Sequence, residues 1–351
     1  MAIERGQLLS VLGMASPVIQ APMAGFSFPD MVIAVCEAGG LGILAAALHS
    51  VEDIERDSAA IRSRSNRPFG MNFFSHTAPV RDAAAERAWR QRLQPYFDEL
   101  QLDAEDAALP ASPVAGFGEA QCSAVERIHP RVVSFHFGLP DAAFLVRLKK
   151  AGALIMASAT TVTEAIWLEA HGCDVVIAQG MEAGGHRGHF LAGSESRQRG
   201  TFTLVPQIVD AIRLPVVAAG GIGDIRGVRA ALALGAEAVQ VGTAFLCCAE
   251  ASMRPGYLRA LRQSTGEDTV MTSAFSGRPA RVVANRFTRE LGMHENEVAN
   301  FPLGMKLIEP LVKAAARSGS SDLAPVWAGQ GIRPNGTVTA SQLVGRLTPV
   351  D

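Results

Sequence analysis

A chain of 351 residues, 48% of them hydrophobic, can fill one large barrel core or two smaller domains. Its formal charge is −2, and Arg-rich stretches such as 56–67 are interleaved with Glu and Asp, so no basic face advertises nucleic acid or an anionic membrane. Small-molecule partners are expected. Residues 38–48 form the longest uncharged apolar stretch, too short to span a bilayer. Residues 1–10 carry Glu4 and Arg5 and no apolar run of a signal peptide, and five cysteines without a C-x-x-C pair read as reduced thiols, so a cytoplasmic protein is expected.

Short apolar runs alternate with stretches of helical spacing. The run 17–24 precedes a helix over 28–39; 41–47 precedes a helix over 51–62 with Ser50 as its N-cap; 68–74 precedes a helix-prone 81–100. Residues 101–130, with Pro110, Pro113, Gly116 and Gly118, break the rhythm as a long irregular connection with room for a short strand or helix. Runs at 131–137, 153–159, 174–179, 214–219 and 238–242 then follow, with helices over 141–151, 162–171, 204–212 and 225–234 between them.

Eight strand-helix beats are the count of a (β/α)8 TIM barrel, an α/β fold, and continuous apolar strands fit a sheet buried on both faces. A doubly wound open sheet is the alternative. The barrel is expected over 1–249, with a long excursion at about 75–130 that is either a lid or part of a second domain. Beyond 249 there are helical stretches at 255–263 and 304–316, no further β repeat, and a loop-like tail from 329. These predict a smaller, mainly helical C-terminal cap over 250–351, returning to the barrel near 303–316.

In such barrels ligands meet the C-terminal ends of the strands, and phosphate commonly sits on the loops after strands seven and eight. Here those loops read Ala218-Ala-Gly-Gly-Ile-Gly223 and Gln240-Val-Gly-Thr-Ala244. Glycine lets the backbone N–H groups approach an anion, and the helix N-termini that follow add partial positive charge. Tight turning alone is the competing reading. The first strand ends in Gln20-Ala-Pro-Met-Ala24, where the Met23 thioether either lies against a flat ring or packs in the core. Asn72 follows an apolar run, where a buried amide needs partners.

The sixth run turns through Gln179, Gly180, Gly184 and Gly185 onto His186. An imidazole reached through side-chain-free residues suits acid-base work or anion recognition, against the alternative of an exposed loop histidine. His136 is either a second pocket residue or a satisfied core histidine. Arg187 and His189 read as loop surface, and Glu182 either orients a neighbour or is a solvated charge. Metal-ligand spacings such as H-E-x-x-H are lacking, and no metal is expected.

At these residues the chain resembles the nitronate monooxygenase (2-nitropropane dioxygenase) family. The resemblance runs over Gln20-Ala-Pro-Met-Ala24, Ala38-Gly-Gly-Leu-Gly42, Phe69-Gly-Met-Asn-Phe-Phe74, Gly180-Met-Glu-Ala-Gly-Gly-His-Arg-Gly188, Ala218-Ala-Gly-Gly-Ile222 and Gln240-Val-Gly-Thr243. Ser134-Phe-His-Phe-Gly-Leu-Pro140 and Trp327-Ala-Gly-Gln330 add to it. Where some relatives have pocket tyrosines, this chain has Phe301 and Lys306.

The resemblance implies FMN, held by Ala21, Pro22, Met23, Asn72, Gln179, Gly184, Gly185, Gly220, Gly221, Gln240, Val241, Gly242 and Thr243, with His186 catalytic and His136 and Lys313 as candidates for substrate contact. It implies oxidation of alkyl nitronates such as propionate 3-nitronate, or of nitroalkanes, with O2 to a carbonyl compound and nitrite, by a monomer or homodimer. The flavin-dependent enoyl-ACP reductases look similar across Glu182-Ala-Gly-Gly-His186, so an NAD(P)H-dependent enoyl-ACP or quinone reductase is the alternative, and a flavin-free barrel for a phosphate ligand a third.

Overall fold

Eight short, almost wholly buried strands run in parallel in the computed structural model, which describes residues 3–109, 116–292, 298–332 and 338–350. In chain order they are Val18–Gln20, Ile43–Ala45, Gly70–Phe74, Val132–His136, Leu154–Ala159, Val175–Gln179, Val216–Ala219 and Ala238–Val241. From the second to the eighth each pairs with the next, the eighth pairs with the first, and a parallel bridge between Ile19 and Leu41 closes the ring between the first and second. This is the (β/α)8 barrel that the repeated beat predicts.

Local chemistry sets most of the surrounding helices. Ser50 Oγ accepts from Asp53 N at 3.1 Å and starts Val51–Arg62, as expected from the sequence. Asp141, Thr161 and Asp224 cap Ala142–Lys150, Val162–Ala170 and Ile225–Ala233 in the same way.

Two helices of the outer ring lie where the sequence reads as irregular. Glu119–Ile128 closes the 101–130 connection and packs between Val51–Arg62 and Ala142–Lys150. Ala340–Leu347 lies in the tail that was expected to be loop, capped by Thr339 with Gln342 reciprocating. It buries Leu343, Val344 and Leu347 against Pro29–Glu37 and Ile225–Ala233, and so supplies the wall after the eighth strand. Such short helices carry little periodic signal, and the second lies about a hundred residues beyond the strand whose beat it completes.

The N-terminal helix Leu8–Leu12 seals the opposite end. Leu8, Leu12 and Met14 pack against Ile19, Ile43, Val132, Met156, Val175 and Val217 inside the ring, making that end solid.

A second core lies outside the barrel. Trp89, Leu93, Tyr96 and Phe97 of Ala83–Glu99 pack with Phe275, Phe287, Leu303, Leu307, Ile308 and Leu311. The excursion thus shares its core with the C-terminal region. The 303–316 segment, within Leu303–Arg317, packs there instead of returning to the barrel wall. Strands absent from the expectation also appear: Thr269–Thr272 and Ala280–Val283 form an antiparallel pair, and the latter also pairs with Gly185–His186. Four-residue strands completed by a two-residue partner far away in sequence leave no repeat to read. Among the described residues no helix is long and apolar enough to cross a membrane.

If Ala340–Leu347 is part of the barrel wall, Leu343→Ala should cost about 2–5 kcal/mol in urea unfolding, as for a fully packed leucine. Val146→Ala, at a side chain 67% exposed on another helix of the wall, should stay within about 0.5 kcal/mol.

Candidate active site

Above the sealed end, the C-terminal ends of the strands enclose a cavity of about 420 Å³, within the ~300–1,000 Å³ of small-molecule sites. Ala21, Pro22, Met23, Asn72, His136, Gln179, Gly184, Gly185, His186, Gly220, Gly221, Gln240, Gly242 and Thr243 all line it. Two sequence candidates do not. Val241 points into the barrel wall, because side chains alternate along a strand. Lys313 sits on the solvent face of Leu303–Arg317, 63% exposed and 2.7 Å from Glu309, while the same helix turns Met305 toward the cavity.

The corner at His186 is built by close approach. A Cβ on Gly184 would lie 2.4 Å from Gly329 N, and Gly185 has φ +72°; only glycine passes this point without strain. Gly185 and His186 then pair with Arg281 and Ala280, so the hairpin of the outer region grips the loop. The carbonyl of His186 accepts from Gln179 Nε2 at 3.0 Å and from His136 Nε2 at 3.1 Å, while Gln179 Oε1 accepts from Gly188 N at 2.8 Å. Gln179 and His136 therefore brace the backbone that carries His186.

Arg187 and His189 are not loop surface. Arg187 is 1% exposed and donates to the carbonyls of Gly180 (2.6 Å) and Gln179 (2.8 Å) and to Gln198 Oε1 (2.5 Å). Burial pulls its pKa down to about 10, which still leaves it charged at neutral pH. Glu182 orients a neighbour: its carboxylate accepts from Thr201 N and Thr201 Oγ1, both at 2.9 Å, tying this loop to the start of Thr201–Ala211.

The hydrogen bonds select one form of His186. Ser276 Oγ donates its proton to the Arg278 carbonyl at 3.2 Å, so the same oxygen accepts from His186 Nε2–H at 2.9 Å. Nδ1 then holds a lone pair. Desolvation pulls the ring's pKa down to about 3, helped by His136 and Arg278, and the imidazole is neutral at working pH. In His136, Nε2–H donates to the His186 carbonyl and Nδ1 accepts from Ser158 Oγ at 3.0 Å; desolvation lowers this pKa to about 4.

Aromatic rings enclose the imidazole: Trp327 at 5.1 Å, Phe301 at 5.2 Å and Phe137 at 6.0 Å between centroids. Phe137 has φ +74°, a strained conformation for a bulky residue, of the kind that persists where surroundings over-determine it. Ser276 carries no sequence signal for the site, lying 90 residues beyond the histidine it orients.

Across the cavity, Gly220 and Gly221 take φ +116° and +72°, and Gly331 passes so close that a Cβ would lie 2.7 Å from the Gly221 carbonyl. The helix N-terminus expected to aid an anion after strand seven is already occupied: Asp224 Oδ1 accepts from Arg226 N (2.9 Å) and Gly227 N (3.3 Å). An anion there would rest on the glycine loops and on the leading N–H groups of Thr243–Leu246.

Fold and site together define a barrel enzyme that sets a half-buried, neutral imidazole opposite paired glycine loops, in a cavity large enough for a cofactor. The family model described as nitronate monooxygenase matches residues 5–349. A nitronate monooxygenase of Paraburkholderia phytofirmans is 41% identical over 348 residues, covering 97% of this chain and 93% of that protein. Among solved structures, nitroalkane oxidase from Streptomyces ansochromogenes superposes with a TM-score of 0.88 at 37% identity, covering 97% of this chain and 96% of that one. FabK from Thermotoga maritima gives 0.73 at 28% identity, covering 99% and 95%. The chain belongs to the nitronate monooxygenase family, and with it to the flavin-dependent oxidoreductases.

Both imidazoles hold folded-state pKa values, about 3 and about 4, below the ~6.5 of an unfolded histidine. Between about pH 6.5 and pH 4 the unfolded chain binds more protons, so their burial should cost stability as pH falls through that window. The urea midpoint should drop across it, and less steeply in His136→Gln.

Proposed function

We propose that this chain binds FMN and oxidises alkyl nitronates, and the nitroalkanes from which they form, with O2 to carbonyl compounds and nitrite. The observation that carries the reading is the neutral His186 imidazole on the lining of a cofactor-sized cavity. Support comes from the family and from the likeness to a nitroalkane oxidase.

The residues present fit a flavin. Gln240 Oε1 is buried with no hydrogen-bond partner among the described residues, an acceptor that a bound donor would satisfy. Asn72 donates to the Ser134 carbonyl and hydroxyl at 3.2 and 2.9 Å, leaving its Oδ1 as a second acceptor. The Gly220–Gly221 and Gly242–Thr243 loops would hold the phosphate, and Met23 would lie against the ring. Bound flavin supplies the electron acceptor.

The protein's own residues hold and move the proton. A neutral His186 Nδ1 accepts the α-proton of a nitroalkane, which is general-base work, and the resulting imidazolium faces the nitronate it has made. Ser276 engages Nε2, which leaves Nδ1 to take the proton. When a nitronate is supplied as the anion, the ring takes up a proton from solvent, since an adjacent negative charge raises the pKa of the imidazole. The aromatic wall keeps bulk water from competing for the proton.

His186→Asn, still yellow after purification, should lose about 10²–10⁴-fold in kcat/KM for a neutral nitroalkane, the range for removing a general base, and lose less for the preformed nitronate. An unchanged nitroalkane rate would remove His186 from the mechanism. In an anaerobic cuvette the flavin absorbance should fall on addition of alkyl nitronate and hold steady with NADPH. Bleaching by NADPH alone would move the chain to the reductases.

A further inference from the structure

We propose that residues 326–332 are a strap that couples occupation of the phosphate loops to the placing of Trp327 against His186, with Thr243 as the positioning residue that joins the two. This rests on the FMN reading above and gives one hydroxyl at the phosphate end a second duty.

The strap begins at the edge of the outer hairpin, where Val283 N donates to the Val326 carbonyl at 2.9 Å and Val282 bridges to Trp327. Within a few residues it then meets the loops after the sixth, seventh and eighth barrel strands. Gly329 N donates to Thr243 Oγ1 at 2.9 Å, and Gln330 N donates to the Glu182 carbonyl at 2.9 Å. A Cβ on Gly329 would lie 2.5 Å from that same carbonyl, and one on Gly223 would lie 2.7 Å from the Gly331 carbonyl. Packing this close transmits displacement, so the strap moves with the loops it touches.

Trp327 stands two residues before Gly329. Its ring lies 5.1 Å from the His186 ring, and its carbonyl accepts from Tyr257 Oη at 2.7 Å. Two hydrogen bonds, from Tyr257 and to Thr243, thus fix the backbone that presents the indole to the histidine.

The Thr243 hydroxyl can serve both ends at once. Its oxygen accepts from Gly329 N, and among the described residues its proton meets no acceptor, although the side chain lines the cavity. A phosphate held by the glycine loops supplies that acceptor. Donating to an anion polarises the hydroxyl and strengthens the bond that the same oxygen accepts. Gly329 is buried, so its N–H depends on that oxygen. A bound phosphate therefore tightens the strap, and an empty phosphate site loosens Trp327 beside His186.

The test is hydrogen–deuterium exchange of the peptide spanning 326–331, in the full-length chain freed of flavin and then saturated with FMN or with riboflavin, which has the ring but no phosphate. FMN should slow this peptide at least about fivefold more than riboflavin does. The buried strand Val132–His136 should exchange alike in both, which checks the fold. Thr243→Ser should keep the difference, and Thr243→Val, at FMN concentrations that restore the yellow complex, should abolish it. Equal slowing by the two flavins, or a difference that survives Thr243→Val, would overturn the coupling and leave FMN binding standing. If Thr243→Val does not fold, the wild-type comparison decides alone. If riboflavin does not bind, inorganic phosphate added to the flavin-free chain takes its place, and no slowing by phosphate is the overturning result. A chain that takes up neither flavin would remove the FMN reading, and the coupling with it.

Discussion

The backbone carbonyl of His186 is the point on which the site depends. It accepts from Gln179 at the end of the sixth strand and from His136 at the end of the fourth, so one oxygen ties two barrel strands to a loop that leaves the barrel. A carbonyl has two lone pairs, and both are used. With the backbone held from below, the pairing of Gly185 and His186 with Arg281 and Ala280 holds it from the side. The imidazole is left one direction in which to project. Ser276, on the same hairpin side, then decides which nitrogen carries the proton.

The electrostatics follow from the same crowding. Two histidines and the Arg187 guanidinium are taken out of water within one corner, and each responds in the direction that disfavours its charged form. Arginine starts high enough to remain a cation. The imidazoles do not, and become neutral. The outcome is a fixed positive charge behind the loop and an uncharged base in front of it, an arrangement suited to a substrate that becomes anionic when it loses a proton. The second core carries the other half of the site, since Phe301, Met305 and Trp327 reach the cavity from outside the barrel. The excursion helix Ala83–Glu99 contributes by giving that region a core to fold around.

Much of this was legible in the chain. The eight beats, the helix boundaries set by Ser50 and Asp141, the glycine approach to His186 and the paired loops after strands seven and eight are local patterns, and local patterns survive in sequence. The misreadings share one physical cause. Arg187 reads as surface because a charged side chain in a glycine-rich loop usually is; only the carbonyls of Gln179 and Gly180 converging on it make burial tolerable. Lys313 enters as a pocket candidate through the family resemblance, but which face of its helix turns inward is set by packing against Trp89 and Phe287.

By itself, then, the sequence determined a (β/α)8 barrel with its ligand loops and the histidine at its mouth, because period, glycine placement and strand-end chemistry act over a few residues. The tertiary structure decided the rest. It decided that the wall is completed by Ala340–Leu347, that the excursion belongs with the C-terminal region, and that a hairpin from 269–283 clamps the corner at His186. It also decided the chemistry of His186, since its tautomer depends on Ser276 and its neutrality on aromatic rings and a second imidazole from distant parts of the chain. A hydrogen bond or a desolvation penalty between residues ninety positions apart has no period, and only the folded chain brings such partners together.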